Sequence, residues 1–149
     1  MKNLFDELCC HDILERLEEL SPDAQRQWGI MDVAQMLSHC AETLEVAIGT
    51  KTLPQTGIGR ILGPFLKQTF INYKDFRKNS PSDKRFVIDG QRDFYREKAR
   101  LHGLIRTFHE GGEKNCTHHP HFFFGKLSPM EWSIGMYKHL DHHLRQFGE

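Results

Sequence analysis

Apolar residues recur every third or fourth position over four long stretches of the chain, and each stretch reads as an amphipathic helix. In residues 3 to 20, Phe5, Cys9, Ile13, Leu17 and Leu20 share one face, with Asp12, Glu15, Glu18 and Glu19 mostly turned away. Ser21 and Pro22 end that helix, and Ser21 to Trp28 reads as a short helical turn that stops at Gly29. A second helix runs from about Met31 to Ile48, with Val33, Met36, Leu37, Cys40, Leu44, Ala47 and Ile48 inward and Gly49 as its C-terminal cap. Periodicity then fails. Pro54, Gly57, Gly59, Gly63 and Pro64 punctuate residues 50 to 88, which predicts a long crossover carrying one or two short helices. Asp89 caps a third helix that reaches about His109, with Phe94, Leu101, Leu104, Ile105 and Phe108 on its core side and Gly111 and Gly112 at its end.

The last helix has the best-marked start: Ser128 at the N-cap, Pro129 at the first helical position, and Glu131 placed to close a capping box. From there Trp132, Met136, His139, His143 and Phe147 fall within an arc of about 80°, extended by Leu140 and Leu144. Lys138, Asp141 and Arg145 take the opposite side. His139 and His143 therefore belong to the face that should be buried. One turn apart, about 6 Å between Cβ atoms, they are spaced to reach a single metal ion. Two ligands do not make a site. His39, at the edge of the second helix's apolar face near Asp32, Met36 and Thr43, is either a boundary residue bonded to a neighbour or the third ligand. His142 lies to the side of its two neighbours and reads as exposed or as a support for them.

Between the third and last helices, GGEKNCTHHPHFFFGKL is polar and then sharply aromatic. Leaving Phe122, Phe123 and Phe124 in water forfeits roughly 1.5–3 kcal/mol each, so this loop should fold back over the helices and cover any site there. Phe123 and Trp132 are accordingly candidates to line a pocket. His118, His119 and His121 alternate in a Pro-containing loop and read as surface or loop-anchoring residues, and His102 and His109 have no evident partner.

Four amphipathic segments with no β-pattern make an all-α helical bundle the economical fold, and 149 residues make one domain, 1–149. Lys plus Arg balances Asp plus Glu at 20 each, which argues against nucleic acid as a partner. The balance conceals an asymmetry: residues 1 to 50 hold three basic and ten acidic side chains, residues 51 to 100 twelve and five. Mutual attraction between neighbouring helices or subunits explains it, and an anion-binding surface in the middle third is the alternative. No apolar run spans a membrane and the N-terminus is acidic, so no membrane partner is expected and the location is read as cytoplasmic. Cys9, Cys10, Cys40 and Cys116 show no CxxC spacing and read as reduced.

Three stretches together resemble the DinB-like superfamily: WGIMDVAQMLSHCAETL with its central histidine, YKHLDHHLRQF with histidines four apart, and HPHFFFGKLSPMEW before the last helix. The last of these is similar to a segment in a branch known only as a domain of unknown function. The resemblance covers nearly the whole chain. It implies an up-down-down-up four-helix bundle with a long crossover between helices two and three, commonly a homodimer. It also implies a divalent metal, zinc or nickel, on three histidines, which here are His39, His139 and His143. Superfamily members include thiol-dependent transferases and isomerases that use low-molecular-weight thiols. The superfamily's HRGQ ending reads HLRQ here, beginning at His143. Asp32 and Glu42 on the second helix, with His142, are candidates to orient the ligands. The expected function is a metal-dependent hydrolase or thiol-dependent transferase acting on a small molecule. The alternative is a non-catalytic helical binding or dimerisation module in which the histidines only bond within the core.

Overall fold

A computed structural model describes residues 1–80 and 83–149. Pro81 and Ser82, inside the predicted crossover, lie outside the described residues. The described chain is all-helical: α1 Glu7–Glu19, α2 Val33–Ile48, α3 Gly57–Ile71, α4 Phe94–Gly111 and α5 Pro129–Gln146, with 3₁₀ turns at Lys84–Phe86 and Glu113–Asn115 and no strand among the described residues. A lone antiparallel bridge joins His121 to Gly125.

Most boundaries follow from capping chemistry. Asp32 accepts from the Gln35 N–H and the Gln35 side chain returns to the Asp32 N–H, while Gly49 closes α2 in the left-handed conformation at φ 93°. Ser128 and Glu131 form the second capping box, at the head of α5. Two starts differ from the expected ones. α1 begins at Glu7 because Asp6 accepts from Cys9 N–H, and this frees Leu4 to enter the core while Phe5 stays half-buried. α4 begins after Asp93, which accepts from the Arg96 N–H at 2.7 Å. Asp89 loses that role because Gly90, at φ 78°, turns the chain away. Ser21 to Trp28 forms a hydrogen-bonded turn, Ala24 N–H to Ser21 O, and no helix.

The crossover is more regular than its glycines and prolines suggest, since α3 runs for 15 residues through Gly59, Gly63 and Pro64. Its glycines serve packing. A Cβ on Gly63 would lie 2.1 Å from the Phe123 carbonyl oxygen, and one on Gly59 would lie 2.8 Å from the same atom, so the two glycines leave a smooth track for the aromatic loop's backbone. Gly135 on α5 does the same for the ring of Phe70 on α3.

α1 packs on α4 and α5, α2 packs on α4 and α5, and α3 packs on α5. One continuous core joins Leu4, Ile13, Leu17, Leu37, Leu44, Leu101, Ile105, Trp132 and Leu140. The charge asymmetry resolves across these contacts: Arg100 on α4 meets Glu45 on α2 at 2.8 Å, and Lys98 meets Glu18 on α1 at 3.3 Å. All four cysteines are free.

Candidate metal centre

The two capping boxes set the register of α2 and α5, and that register brings His39, His139 and His143 together. Their ring centroids form a nearly equilateral triangle, with sides of 5.0, 4.8 and 4.7 Å. One ligand atom from each lies within 4.8 Å of the others. His39 and His143 are buried, and His139 is half-buried, with its open edge on two clefts.

Hydrogen bonds assign two of the three tautomers. The Phe86 carbonyl, which can only accept, lies 2.8 Å from His39 Nδ1, so that nitrogen carries the proton. The Gln146 amide donates its Nε2–H to the Trp28 carbonyl at 2.7 Å, which turns Oε1 toward His143 Nδ1 at 2.9 Å. That nitrogen is a donor too. Thr43 gives its hydroxyl proton to the Cys40 carbonyl at 2.8 Å and offers only lone pairs to His139 Nδ1, 3.4 Å away. His39 and His143 thus hold the proton on Nδ1 and leave Nε2 bare, while the long Thr43 contact does not fix the tautomer of His139.

Nε2 of His39 and Nε2 of His139 lie 3.1 Å apart, so in the metal-free site a proton on His139 Nε2 is shared with the bare His39 Nε2. A divalent cation in place of that proton would be met by both nitrogens. Nitrogen ligands at about 2.0–2.1 Å from one tetrahedral ion lie roughly 3.4 Å apart, so this pair already has ligand spacing, while the 4.8 Å outer limit leaves the third a small inward movement. Burial lowers the pKa of all three. His143 falls to about 3, with His39 a further cause, and His139 falls well below the ordinary histidine value through burial and then the neighbouring imidazoles His143 and His39. Neutral imidazole is the form that binds metal.

Two clefts meet at His39 and His139. One, of about 620 Å³, is walled by Phe70, Phe86, Phe122, Phe124, Trp132 and Met136. The other, of about 440 Å³, includes Trp28, His142, His143 and Gln146. Phe123 and Trp132 line the first cleft. His142 stands beside the triad, its ring 5.2 Å from that of His143, and packs on Trp28 and Phe76. Neither Asp32 nor Glu42 is hydrogen-bonded to a ligand imidazole: Asp32 caps its own helix, and Glu42 pairs with Lys51 at 2.8 Å while its charge acts on His39 from a distance. The supports are instead a backbone carbonyl at Phe86, the Thr43 hydroxyl and the Gln146 amide. Of these, Gln146 left a trace in the sequence three residues after His143 and Thr43 four residues after His39, each on the same side of its helix as that histidine, whereas the Phe86 carbonyl left none.

His121 is buried, and its Nδ1 accepts from the backbone N–H groups of Phe123 and Phe124 at 3.0 and 3.1 Å. It anchors the aromatic loop and lines the larger cleft. His118 and His119 are exposed and join neither site, while His109 Nδ1 donates to the Leu4 carbonyl at 2.8 Å.

A family model described as protein of unknown function (DUF1569) matches residues 5–149. No curated protein and no solved structure matches the chain.

Proposed function

The chain belongs to the DUF1569 family of proteins of unknown function, and from its own geometry we propose that it is an enzyme dependent on a divalent metal, zinc or nickel, held by His39, His139 and His143. The observation that carries this is the convergence of three imidazoles, each with a ring nitrogen within 4.8 Å of the others and two of those nitrogens 3.1 Å apart. A divalent ion among three neutral imidazoles keeps its full charge and an open position, and so lowers the pKa of a bound water or thiol toward neutrality. The chain's own part is to fix the tautomers of His39 and His143 through Phe86 and Gln146, to bring a small molecule in through either cleft, and to keep bulk water out with the aromatic loop. Hydrolysis, or transfer to a low-molecular-weight thiol, is the chemistry such a centre suits.

The wider frame is DinB-like. α1, α2, α4 and α5 form the up-down-down-up bundle of a single domain, with α3 inserted in the crossover, and the four pairwise packings among those helices support it. Free cysteines accord with a reducing cytoplasm, and among the described residues no helix is long and apolar enough to cross a membrane. The test is metal content in the purified protein and in His39→Ala, His139→Ala and His143→Ala. Bound metal in the first and its loss in each variant is expected, and equal content in all four would overturn the proposal.

One feature favours the other reading, a binding or dimerisation module. Ile58, Ile61, Leu62 and Phe65 on α3 are exposed together and suit pairing of two copies into a homodimer. If the histidines serve only the core, chelator leaves the melting temperature unchanged. A metal centre predicts a clear fall.

A further inference from the structure

The larger cleft has a polar feature that the metal proposal does not use. His121 is 4% exposed, and its ring is packed by Phe122, Phe124, Trp132 and Phe70, with centroids 4.1, 4.7, 5.1 and 5.3 Å away. Its Nδ1 receives two backbone N–H donors, so it carries no proton, and a neutral ring then holds its proton on Nε2. This is the opposite tautomer from His39 and His143. Among the described residues nothing accepts from that Nε2–H. Burial pushes the pKa of His121 down to about 3, which keeps the ring neutral at physiological pH.

We propose that His121 is a positioning residue whose Nε2–H donates a hydrogen bond to the carbonyl oxygen of a flat, partly aromatic ligand bound in the cleft it shares with His39 and His139. The aromatic walls select a flat apolar body, since ring faces and edges reward stacked and edge-on contacts. The donor selects an acceptor oxygen, because an N–H that opens on the cleft without a protein partner gains a hydrogen bond from an acceptor that the apolar walls do not supply. About 620 Å³ is within the range of small-ligand sites. The packing on four sides holds the ring in one orientation, so the donor is aimed before the ligand arrives.

This deepens the enzymatic reading by naming a ligand class, and its test separates the two. Acetophenone and ethylbenzene, a pair differing in the carbonyl, are titrated into the full chain by ligand-observed NMR, with zinc and again after EDTA. The acetophenone-to-ethylbenzene affinity ratio should fall by about fivefold in His121→Phe, one neutral hydrogen bond's worth, with ethylbenzene affinity kept. His121→Gln, which retains a side-chain N–H, should restore part of it. Imidazole ¹⁵N shifts in the wild-type protein, which need no variant, should show His121 neutral with the proton on Nε2. A ratio unchanged in a folded variant, a proton on Nδ1, or failure of both compounds to bind overturns the proposal. A protein that holds no metal yet keeps the His121-dependent ratio overturns the metal reading alone.

Discussion

Gln146 links two parts of the chain that lie 118 positions apart, its amide nitrogen on the Trp28 carbonyl and its oxygen on His143 Nδ1. An amide cannot reverse that assignment without setting two donors or two acceptors face to face, so it holds the imidazole in one tautomer as firmly as a carboxylate would. Gln146→Ala should lower metal affinity by about 10–100-fold while leaving the triad intact, measured by competition with a chelating dye. Unchanged affinity would show that the amide only fills space. At this scale the sequence was partly legible. His139 and His143 were readable from helical spacing and their apolar face, His39 was left open by its edge position and joined to them only through the resemblance, and carboxylates at Asp32 and Glu42 were the natural guess for their partners. The real partner of His39 is a backbone oxygen 47 residues away, to which no side-chain pattern points.

Among the elements, α1, α2 and α5 were legible from periodicity and caps, and α3 was not. Glycine and proline lower helix propensity, and nothing in their spacing tells a broken loop from a helix that needs a smooth face. Two glycines now separate these meanings. Gly103 on α4 is exposed with nothing near its missing Cβ, so Gly103→Ala should stabilise the protein by up to about 1 kcal/mol through propensity. Gly63→Ala gains the same propensity, but its Cβ meets the Phe123 carbonyl at 2.1 Å, and overpacking of that kind costs about 1–3 kcal/mol. The expected signs are opposite. Urea midpoints check both, and a stabilised Gly63→Ala would mean that the loop does not rest on α3.

For the whole molecule, the titrating groups with resolved shifts around the cleft and at the molecule's edges predict loss of stability in acid. His121 falls from 6.5 to about 3 on folding through burial, so between those values the unfolded chain takes up a proton that the folded chain refuses. Its contribution is whole above about 6.5 and is lost as pH falls toward 3. Asp83 and Asp75 are held below the usual carboxylate range chiefly by hydrogen bonds from Arg85 and Arg145, and their smaller contributions are lost at lower pH in the same direction. Denaturant midpoints of metal-free protein should therefore decline from pH 7 to pH 4, and the decline should be shallower in His121→Phe. An equal slope would place the titration elsewhere. The charge asymmetry between the acidic first third and the basic middle third was visible in composition, but which helices it joins required the packing of α4 on α1 and α2.

The three histidines are held from places far apart in the chain: a carbonyl at Phe86, a helix that ends at Gln146, and through that glutamine the segment before α2. A growing chain leaves the ribosome with His39 exposed long before either of its companions exists. His139 follows His39 by 100 positions, so a metal could be taken up only by a chain whose α2 and α5 have already met. Possession of the ion would then report that these two helices have docked in register.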